Sequence, residues 1–250
     1  MIFEVYGYTT KYYKKNINED AMFINDLVIS DGYYYQKYNS DNFIACVCDG
    51  VTGAEKGYYA SSFILQNISN SEYVNIDDFK HLLIDINESL RNVGMKLKSP
   101  DMSSTLAGIY YENNRMNIFN VGDSRVYRIS SGVLSRLTED DAVAYKLYRD
   151  GVISEREIET HPQKNVLTNY FGNNPIDFFV HYKEDYDFDG QNAYLVMSDG
   201  ISDFVSDKRI EELAKMDIDG LDKIRLLIGE AMKNGSNDDI SIVLVEIQND

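Results

Sequence analysis

The sequence predicts an α+β fold in which antiparallel β-sheets are covered by helices. Short apolar or alternating segments, which are typical of strands, outnumber the longer segments with helical spacing. Between residues 105 and 137 the predicted strands follow one another with only a few residues between them. Such connections favour hairpins, since parallel strands need long crossovers. We therefore expect antiparallel sheets with helices packed on their faces.

The strand predictions come from alternating or continuously apolar runs bounded by turn residues. They lie near residues 2–8, 22–30, 43–48, 105–111, 115–121, 125–129, 133–137, 176–182, 193–198 and 240–247. Helical spacing of apolar residues predicts helices over about 79–93 and 221–231, with Gly235 as a stop signal for the second. A further helix is expected over about 55–69.

The segment 139–175 differs from the rest of the chain because it contains short helical pieces and no long apolar strand. Ser154 and Glu157 have the spacing of a capping box. We interpret this segment, here called the flap, as an excursion from the main sheets. Residues 1–250 are then expected to form a single domain that carries the flap as a subdomain.

The composition makes two classes of binding partner unfavourable. The formal net charge is −17, which disfavours binding to nucleic acid or to an anionic membrane surface. The first residues lack the basic and apolar regions of a signal peptide, and no run approaches the roughly 20 apolar residues of a spanning helix. We expect a cytoplasmic protein.

Two cysteines, Cys46 and Cys48, occur in one apolar run and should point to the same face of a strand. A phosphatase with a cysteine nucleophile would place an arginine in the loop that follows the cysteine, to bind phosphate. No arginine occurs between Cys48 and Lys56. We predict buried free thiols without a catalytic role.

Four aspartates stand at the ends of predicted core strands. Asp49 and Asp199 close the runs FIACVCDG and AYLVMSDG, Asp123 follows MNIFNVG, and Asp238 precedes ISIVLVEI. A single acid at such a position is usually a turn former or a helix cap. Four clustered carboxylates would repel one another, and oxygen ligands without His or Cys point to Mg²⁺ or Mn²⁺.

A glycine follows two of these aspartates, at Gly50 and Gly200. Because glycine lacks Cβ, the backbone can approach a ligand closely and direct a carbonyl at an ion. A tight turn after a strand is the alternative reading of the same dipeptide.

The order of the motifs resembles the metal-dependent protein phosphatases often called type 2C. The matching motifs are NED at 18–20, DGVTG at 49–53, SSTLAG at 103–108, VGDSRVY at 121–127, SDGISDFVSD at 198–207 and NDDISIVLV at 237–245. The resemblance covers residues from about 4 to 247, and the flap resembles the family's segment between its later motifs.

The resemblance implies a four-layer αββα sandwich, in which two antiparallel sheets are flanked by helices and two Mg²⁺ or Mn²⁺ ions bind at one end. By match to the family's ligands, Asp49 would bridge both ions and the Gly50 carbonyl would bind one of them. Asp199 and Asp238 would bind the other ion.

Further site residues follow from the same resemblance. Glu19 and Asp20 would bind directly or hold ion-bound waters, and Asp123 would form a third, weaker site with Asp199. Lys15 stands where many members have an arginine that binds phosphate. We assign catalysis to Asp49, Asp199, Asp238 and Lys15.

The implied function is hydrolysis of phosphoserine and phosphothreonine in proteins by direct attack of a metal-bridging hydroxide. Two divalent ions about 4 Å apart lower the pKa of a bridging water and offset charge on the transferring oxygens. A phosphorylated protein would be the substrate and a Ser/Thr kinase the partner in signalling. The alternatives are a catalytically weak phosphoprotein-binding module and a two-metal hydrolase of a small phosphoester.

Five positions depart from the family pattern. Lys15 cannot make the two-pronged contact of an arginine with phosphate. Thr52 replaces a glycine in the loop after Asp49, and Val51 stands where some members have a histidine proposed as general acid, so water would protonate the leaving group. Asp141 and Asp239 replace a common histidine and a common asparagine, and they add negative charge.

Overall fold

Two six-stranded antiparallel sheets dominate the computed structural model, which describes residues 1–51, 56–176, 179–185 and 192–248, with the backbone alone for 179–185. The strands are β1 (Ile2–Thr10), β2 (Asp20–Ile24), β3 (Leu27–Ile29), β4 (Gly32–Asn39), β5 (Asn42–Asp49), β6 (Leu106–Glu112), β7 (Arg115–Val121), β8 (Arg125–Ser130), β9 (Val133–Arg136), β10 (Phe179–Asp185), β11 (Asn192–Met197) and β12 (Ile240–Gln248).

The helices are α1 (Gly57–Ser69), α2 (Ile76–Lys96), α3 (Val143–Arg149), α4 (Glu155–Ile158), α5 (Asp199–Ser202), α6 (Asp207–Ala214) and α7 (Gly220–Lys233). The first sheet has the order β4-β1-β12-β11-β8-β9, and the second has the order β10-β7-β6-β5-β2-β3. The short helices α3 and α4 lie in the flap.

The side chains of the inner strand β5 pack alternately into two hydrophobic cores. Phe43, Ala45 and Val47 face the core between the two sheets, which also contains β1 and β12 residues. The intervening Cys46 and Cys48 face a second core beneath α1 and α2. Because successive residues of a strand point to opposite faces, a continuously apolar run is what a strand buried on both sides requires.

The other sheet is covered in the same way. Ile210 of α6 and Ile224 and Leu227 of α7 pack on the outer face of the first sheet, against Leu195 and Leu244. The layers are therefore helix, sheet, sheet and helix. This arrangement confirms the predicted α+β fold and the four-layer sandwich.

Most predicted elements are present, one prediction needs correction, and some elements were not predicted. The strand predicted at 22–30 is a hairpin of β2 and β3, because Asn25 adopts a left-handed φ of 54° between them. Strand β4 was not predicted, since its sequence GYYYQKYN is polar and lies at a sheet edge. Helix α6 was also missed, although Ser206 caps it by accepting a hydrogen bond from the Arg209 backbone N–H.

Other local predictions are confirmed. Ser154 and Glu157 form the predicted capping box at the start of α4. Cys46 and Cys48 are buried free thiols, and burial raises the pKa of both. Within the described ranges, no helix is both long enough and apolar enough to cross a membrane.

Candidate active site

Antiparallel pairing gathers the predicted site residues at one end of the sandwich. Asp49 ends β5 and lies directly opposite Asp20, the first residue of β2. On the other sheet, β11 ends just before Asp199, beside the start of β12 that follows Asp238. Residues far apart in sequence thus meet where the two sheets pack together.

The backbone of Asp49 is held by the SSTLAG motif. Thr105 Oγ1 accepts a hydrogen bond from the Asp49 N–H at 3.1 Å, and the Thr105 N–H donates to the Asp49 carbonyl at 2.8 Å. Ser104 Oγ donates to the same carbonyl at 2.8 Å. This carboxylate therefore stands on a fixed peptide unit.

A second motif supports the first. Ser124, in the VGDSRVY motif, places its Oγ 2.7 Å from Thr105 Oγ1, and both residues are buried. Both motifs match the family pattern, but no role was predicted for their hydroxyl residues. The signal was present, since buried Ser and Thr in strand-end motifs need hydrogen-bond partners.

Asp20 and Asp199 each have one buried carboxylate oxygen that lacks a hydrogen-bond partner in the described part of the chain. Ser198 Oγ donates to Asp20 Oδ2 at 2.8 Å. The other oxygen, Asp20 Oδ1, is buried with no hydrogen bond among the described residues, and so is Asp199 Oδ1. Buried, unpaired carboxylate oxygens are costly unless a cation or donor reaches them.

The electrostatics of the cluster oppose ionisation. Burial raises the pKa of Asp20, Asp49, Asp123 and Asp199, and the charges of neighbouring carboxylates raise each of them further. The Ser198 hydrogen bond only partly offsets this effect at Asp20. The cluster is therefore poised to receive positive charge.

Lys15 provides positive charge on one side of the cluster. Its Nζ lies 2.6 Å from Asp238 Oδ1, 3.1 Å from Glu19 Oε2 and 3.2 Å from Asp239 Oδ2. Burial alone would lower the pKa of Lys15, but the hydrogen bond and charge of Asp238 and the other contacts raise it overall. The ammonium is thus held by carboxylates.

Asp239, one of the departures from the family pattern, supports the loop that carries Lys15. It is 1% exposed, and its two oxygens accept hydrogen bonds from the backbone N–H of Tyr12 at 2.6 Å and of Glu19 at 2.8 Å. The Asp239 carboxylate thus stabilises this loop through hydrogen bonds to its backbone.

Asp141, the other acidic departure, links the flap to the loop before Asp123. Its Oδ2 accepts from the Gly122 N–H at 3.1 Å and from Asn169 Nδ2 at 2.9 Å. Thr52 lies outside the described residues. Val51 lines the cleft, and its N–H donates to the Ser103 carbonyl at 3.2 Å.

The two glycines of the DG pairs allow close backbone packing. A Cβ on Gly50 would lie 2.4 Å from the backbone of Gly57, where α1 begins, and one on Gly200 would lie 1.9 Å from the Asp239 carbonyl oxygen. Neither position accepts a larger residue without moving a site loop. The Gly50 carbonyl remains beside Asp49 at the end of β5.

An open cleft of about 540 Å³ lies over these residues. The residues that line it include Asp49, Asp123, Asp199, Asp238 and, from the flap, Tyr170. Asp20 lies opposite Asp49 in the β2–β5 pair, while Glu19 and Lys15 stand beside Asp238. The structure therefore brings all the predicted site residues into one region.

This donor set fits hard divalent cations. The oxygens come from carboxylates and a backbone carbonyl, and the carboxylate charges repel one another. Two of the buried carboxylate oxygens have no hydrogen-bond partner within the described ranges. In the described parts of the chain, no three acidic, His or Cys side chains lie close enough together to coordinate one metal ion without rearrangement. At Asp238, the Lys15 ammonium forms an ion pair with the carboxylate and balances its charge.

Several known proteins are similar to this chain in sequence and in fold. No family model matches the chain. The serine/threonine phosphatase stp of Listeria monocytogenes serotype 4b is 28% identical over 222 residues, which cover 83% of this chain and 86% of that protein. The crystal structure of the Mycobacterium tuberculosis serine/threonine phosphatase PstP/Ppp gives a TM-score of 0.82 at 22% identity and covers 100% of both chains.

A structure of the PstP catalytic domain with two manganese ions gives a TM-score of 0.76 at 20% identity, and covers 98% of this chain and 100% of that one. The chain thus shares the fold of these phosphatases and carries a carboxylate cluster at one end of the sandwich. In sequence and in fold the chain is therefore similar to serine/threonine phosphatases, among them a PPM Ser-Thr phosphatase from Mycobacterium smegmatis, whose structure gives a TM-score of 0.77 at 23% identity.

Proposed function

We propose that this chain hydrolyses phosphoserine and phosphothreonine in proteins in a metal-dependent reaction. The observation that carries the proposal is the convergence of Asp49 and Asp199 at an open cleft, with Asp20 opposite Asp49 in the neighbouring strand. One carboxylate oxygen of Asp20 and one of Asp199 have no hydrogen-bond partner among the described residues. The relatives and the solved structures of this fold are named serine/threonine phosphatases.

The site would hold two Mn²⁺ or Mg²⁺ ions, as the PstP catalytic domain holds two manganese ions. The residues that would hold the ions are Asp49, the Gly50 carbonyl, Asp199 and Asp238, with Glu19 and Asp20 on their waters and Asp123 at a third position. When bound, such ions lower the pKa of water and offset charge on the transferring phosphoryl oxygens.

The chain's own groups would bind and orient the phosphate. Lys15 supplies a point charge beside Asp238, with less directional preference than an arginine fork. The described residues that line the cleft include no histidine, so the leaving Ser or Thr oxygen would take its proton from water. Val51, an apolar cleft residue, would contact the substrate without donating a proton.

The setting of the reaction belongs to the same proposal. We expect a phosphorylated protein as substrate, a Ser/Thr kinase as the opposing enzyme, and residues 139–175 as a flap on a single domain. Free thiols at Cys46 and Cys48 fit a reducing compartment, which supports a cytoplasmic location.

Phosphate release from a phosphothreonine peptide with Mn²⁺ tests the proposal. We expect turnover that is lost with EDTA and that falls by at least about a hundredfold in Asp199→Ala, since ligand loss exceeds the effect of supporting residues. Asp222→Ala is the matched control, because Asp222 is exposed on α7 and pairs only with a surface arginine.

Turnover that survives EDTA, or that is equal in Asp199→Ala and wild type, would contradict the proposal. A folded protein with no turnover would favour the phosphoprotein-binding module, which is the second candidate because Lys15 is ion-paired with Asp238. Faster turnover of an aryl phosphate than of the phosphopeptide would favour the small-phosphoester hydrolase.

A further inference from the structure

The Lys15 ammonium already occupies carboxylate oxygens that the proposed metal site would use. Its shortest contact, 2.6 Å, is to Oδ1 of Asp238, a proposed ligand, and it also contacts Glu19 Oε2 at 3.1 Å. An ammonium has three N–H donors and no acceptor. Glu19, Asp238 and Asp239 together supply a carboxylate contact for each donor.

The loop around Lys15 is held in place from several sides. Asp239 accepts hydrogen bonds from the backbone N–H groups of Tyr12 and Glu19, which flank the lysine in sequence. Lys11 Nζ donates to the Lys15 carbonyl at 2.7 Å. Because the backbone is fixed, the lysine can change its partners only by moving its own four-carbon side chain.

Aspartate at position 239 suits this arrangement better than asparagine. Both oxygens of Asp239 accept backbone N–H groups, and one of them also contacts the ammonium. An asparagine would present an NH₂ group to one of those donors. Lys15 and Asp239 therefore work as a pair.

We propose that Lys15 competes with the metal for Asp238 and thereby couples metal binding to phosphate binding. This inference rests on the proposed function. A cation that takes Asp238 Oδ1 must share that oxygen with the ammonium or displace it. Two positive groups at one carboxylate repel each other, so the lysine lowers the metal affinity of the free enzyme.

Phosphate reverses this effect. A phosphate monoester carries a charge of about −1.5 to −2 and three acceptor oxygens, so it can accept from the ammonium while it lies next to bound metal. The flexible lysine can then leave Asp238 and turn to the phosphate. Phosphate binding should therefore raise metal affinity, and by linkage metal binding should raise phosphate affinity by the same factor.

The test is titration of the full chain with Mn²⁺, by calorimetry or by the electron paramagnetic resonance of free Mn²⁺, with and without inorganic phosphate. The variants are Lys15→Gln and the matched control Lys14→Gln, which removes the same charge from the exposed neighbouring lysine. We expect phosphate to tighten Mn²⁺ binding at least about fivefold in wild type and in Lys14→Gln.

In Lys15→Gln we expect Mn²⁺ to bind about tenfold more tightly than in Lys14→Gln without phosphate, and phosphate to tighten Mn²⁺ binding by a clearly smaller factor than in Lys14→Gln, because only the direct attraction between metal and phosphate remains. Equal Mn²⁺ affinities in the two variants, or an unchanged phosphate effect in Lys15→Gln, would overturn the inference. Either result alongside normal metal-dependent turnover would leave the proposed function intact. Failure of wild type to bind Mn²⁺ at all would contradict both.

Discussion

At the scale of single residues, the site depends on hydroxyl groups beneath its carboxylates. Thr105 Oγ1 joins the Asp49 N–H to Ser124 Oγ, and all three residues are buried. A buried polar group left without a partner costs about 1–3 kcal/mol. The position of Asp49 is therefore set in part by neutral hydroxyl side chains.

Thr105→Val tests this support, because valine keeps the shape of threonine and removes the hydroxyl. We expect a loss of about 1–3 kcal/mol in the free energy of unfolding and a fall in turnover of about tenfold or more. Denaturant unfolding and phosphopeptide turnover measure the two effects.

The control for that change is Thr160→Val, since the Thr160 hydroxyl makes only a long bond of 3.4 Å at an exposed position. Wild-type stability and turnover in Thr105→Val would show that Asp49 is held by other contacts.

The carboxylate cluster should also make the metal-free protein sensitive to pH. Burial, together with the charges of Asp239 and Asp199, raises the pKa of Asp20 to about 8, although the Ser198 hydrogen bond acts in the opposite direction. The folded form therefore holds a proton that the unfolded chain has already lost. Stability is present below the unfolded value near 4 and is lost as pH rises towards 8.

We expect Asp20→Asn to stabilise the metal-free protein at pH 8 by on the order of a few kcal/mol and to change it little at pH 4. Unfolding free energies measured in EDTA at both pH values test this, with Asp222→Asn as a control of equal charge. A destabilised Asp20→Asn protein at pH 8 would show that the carboxylate is stabilised by the fold.

At the scale of elements, helix α2 anchors the end of the flap. Asn87 is 5% exposed, its Oδ1 accepts from the Gly172 N–H at 2.7 Å, and its Nδ2 donates to the Asn173 carbonyl at 3.1 Å. The adjacent Phe171 pairs with Ser104 by two backbone hydrogen bonds. Helix α2 is thereby connected, through the flap, to the segment that holds Asp49.

Asn87→Ala should free this end of the flap. We expect faster hydrogen exchange at the Gly172 amide and a stability loss of about 1–3 kcal/mol, because two backbone groups lose their partner. Asn92→Ala, on the exposed side of the same helix, is the control. Unchanged protection of Gly172 would mean that the Ser104–Phe171 pairing alone holds the flap.

The elements differ in how well their sequences predicted them. Helices α2 and α7 have amphipathic spacing, and β5 is continuously apolar, so their burial was evident in advance. Strand β4 exposes Tyr33 and Tyr35 on one face while Tyr34 and Tyr38 pack on the core, and its polar residues conceal this alternation. Helix α6 is short and charged, and its N-cap is a better signal than its hydrophobicity.

At the scale of the whole molecule, antiparallel topology explains why distant motifs meet. Ends and starts of neighbouring strands fall on the same edge, so the motif residues Asp20, Asp49, Asp199 and Asp238 converge. The resemblance named the carboxylates in advance. It did not predict the contacts of Asp239 and Asp141, because those depend on backbone N–H groups whose positions only the folded chain defines.

The burial of Cys46 and Cys48 has a consequence for a cell under oxidative stress. Peroxides attack accessible thiolates, and phosphatases that use a cysteine nucleophile are silenced in this way. Here both thiols lie beneath α1 and α2, and burial keeps them protonated. The proposed dephosphorylation would therefore not depend on a thiol that an oxidant burst can oxidise.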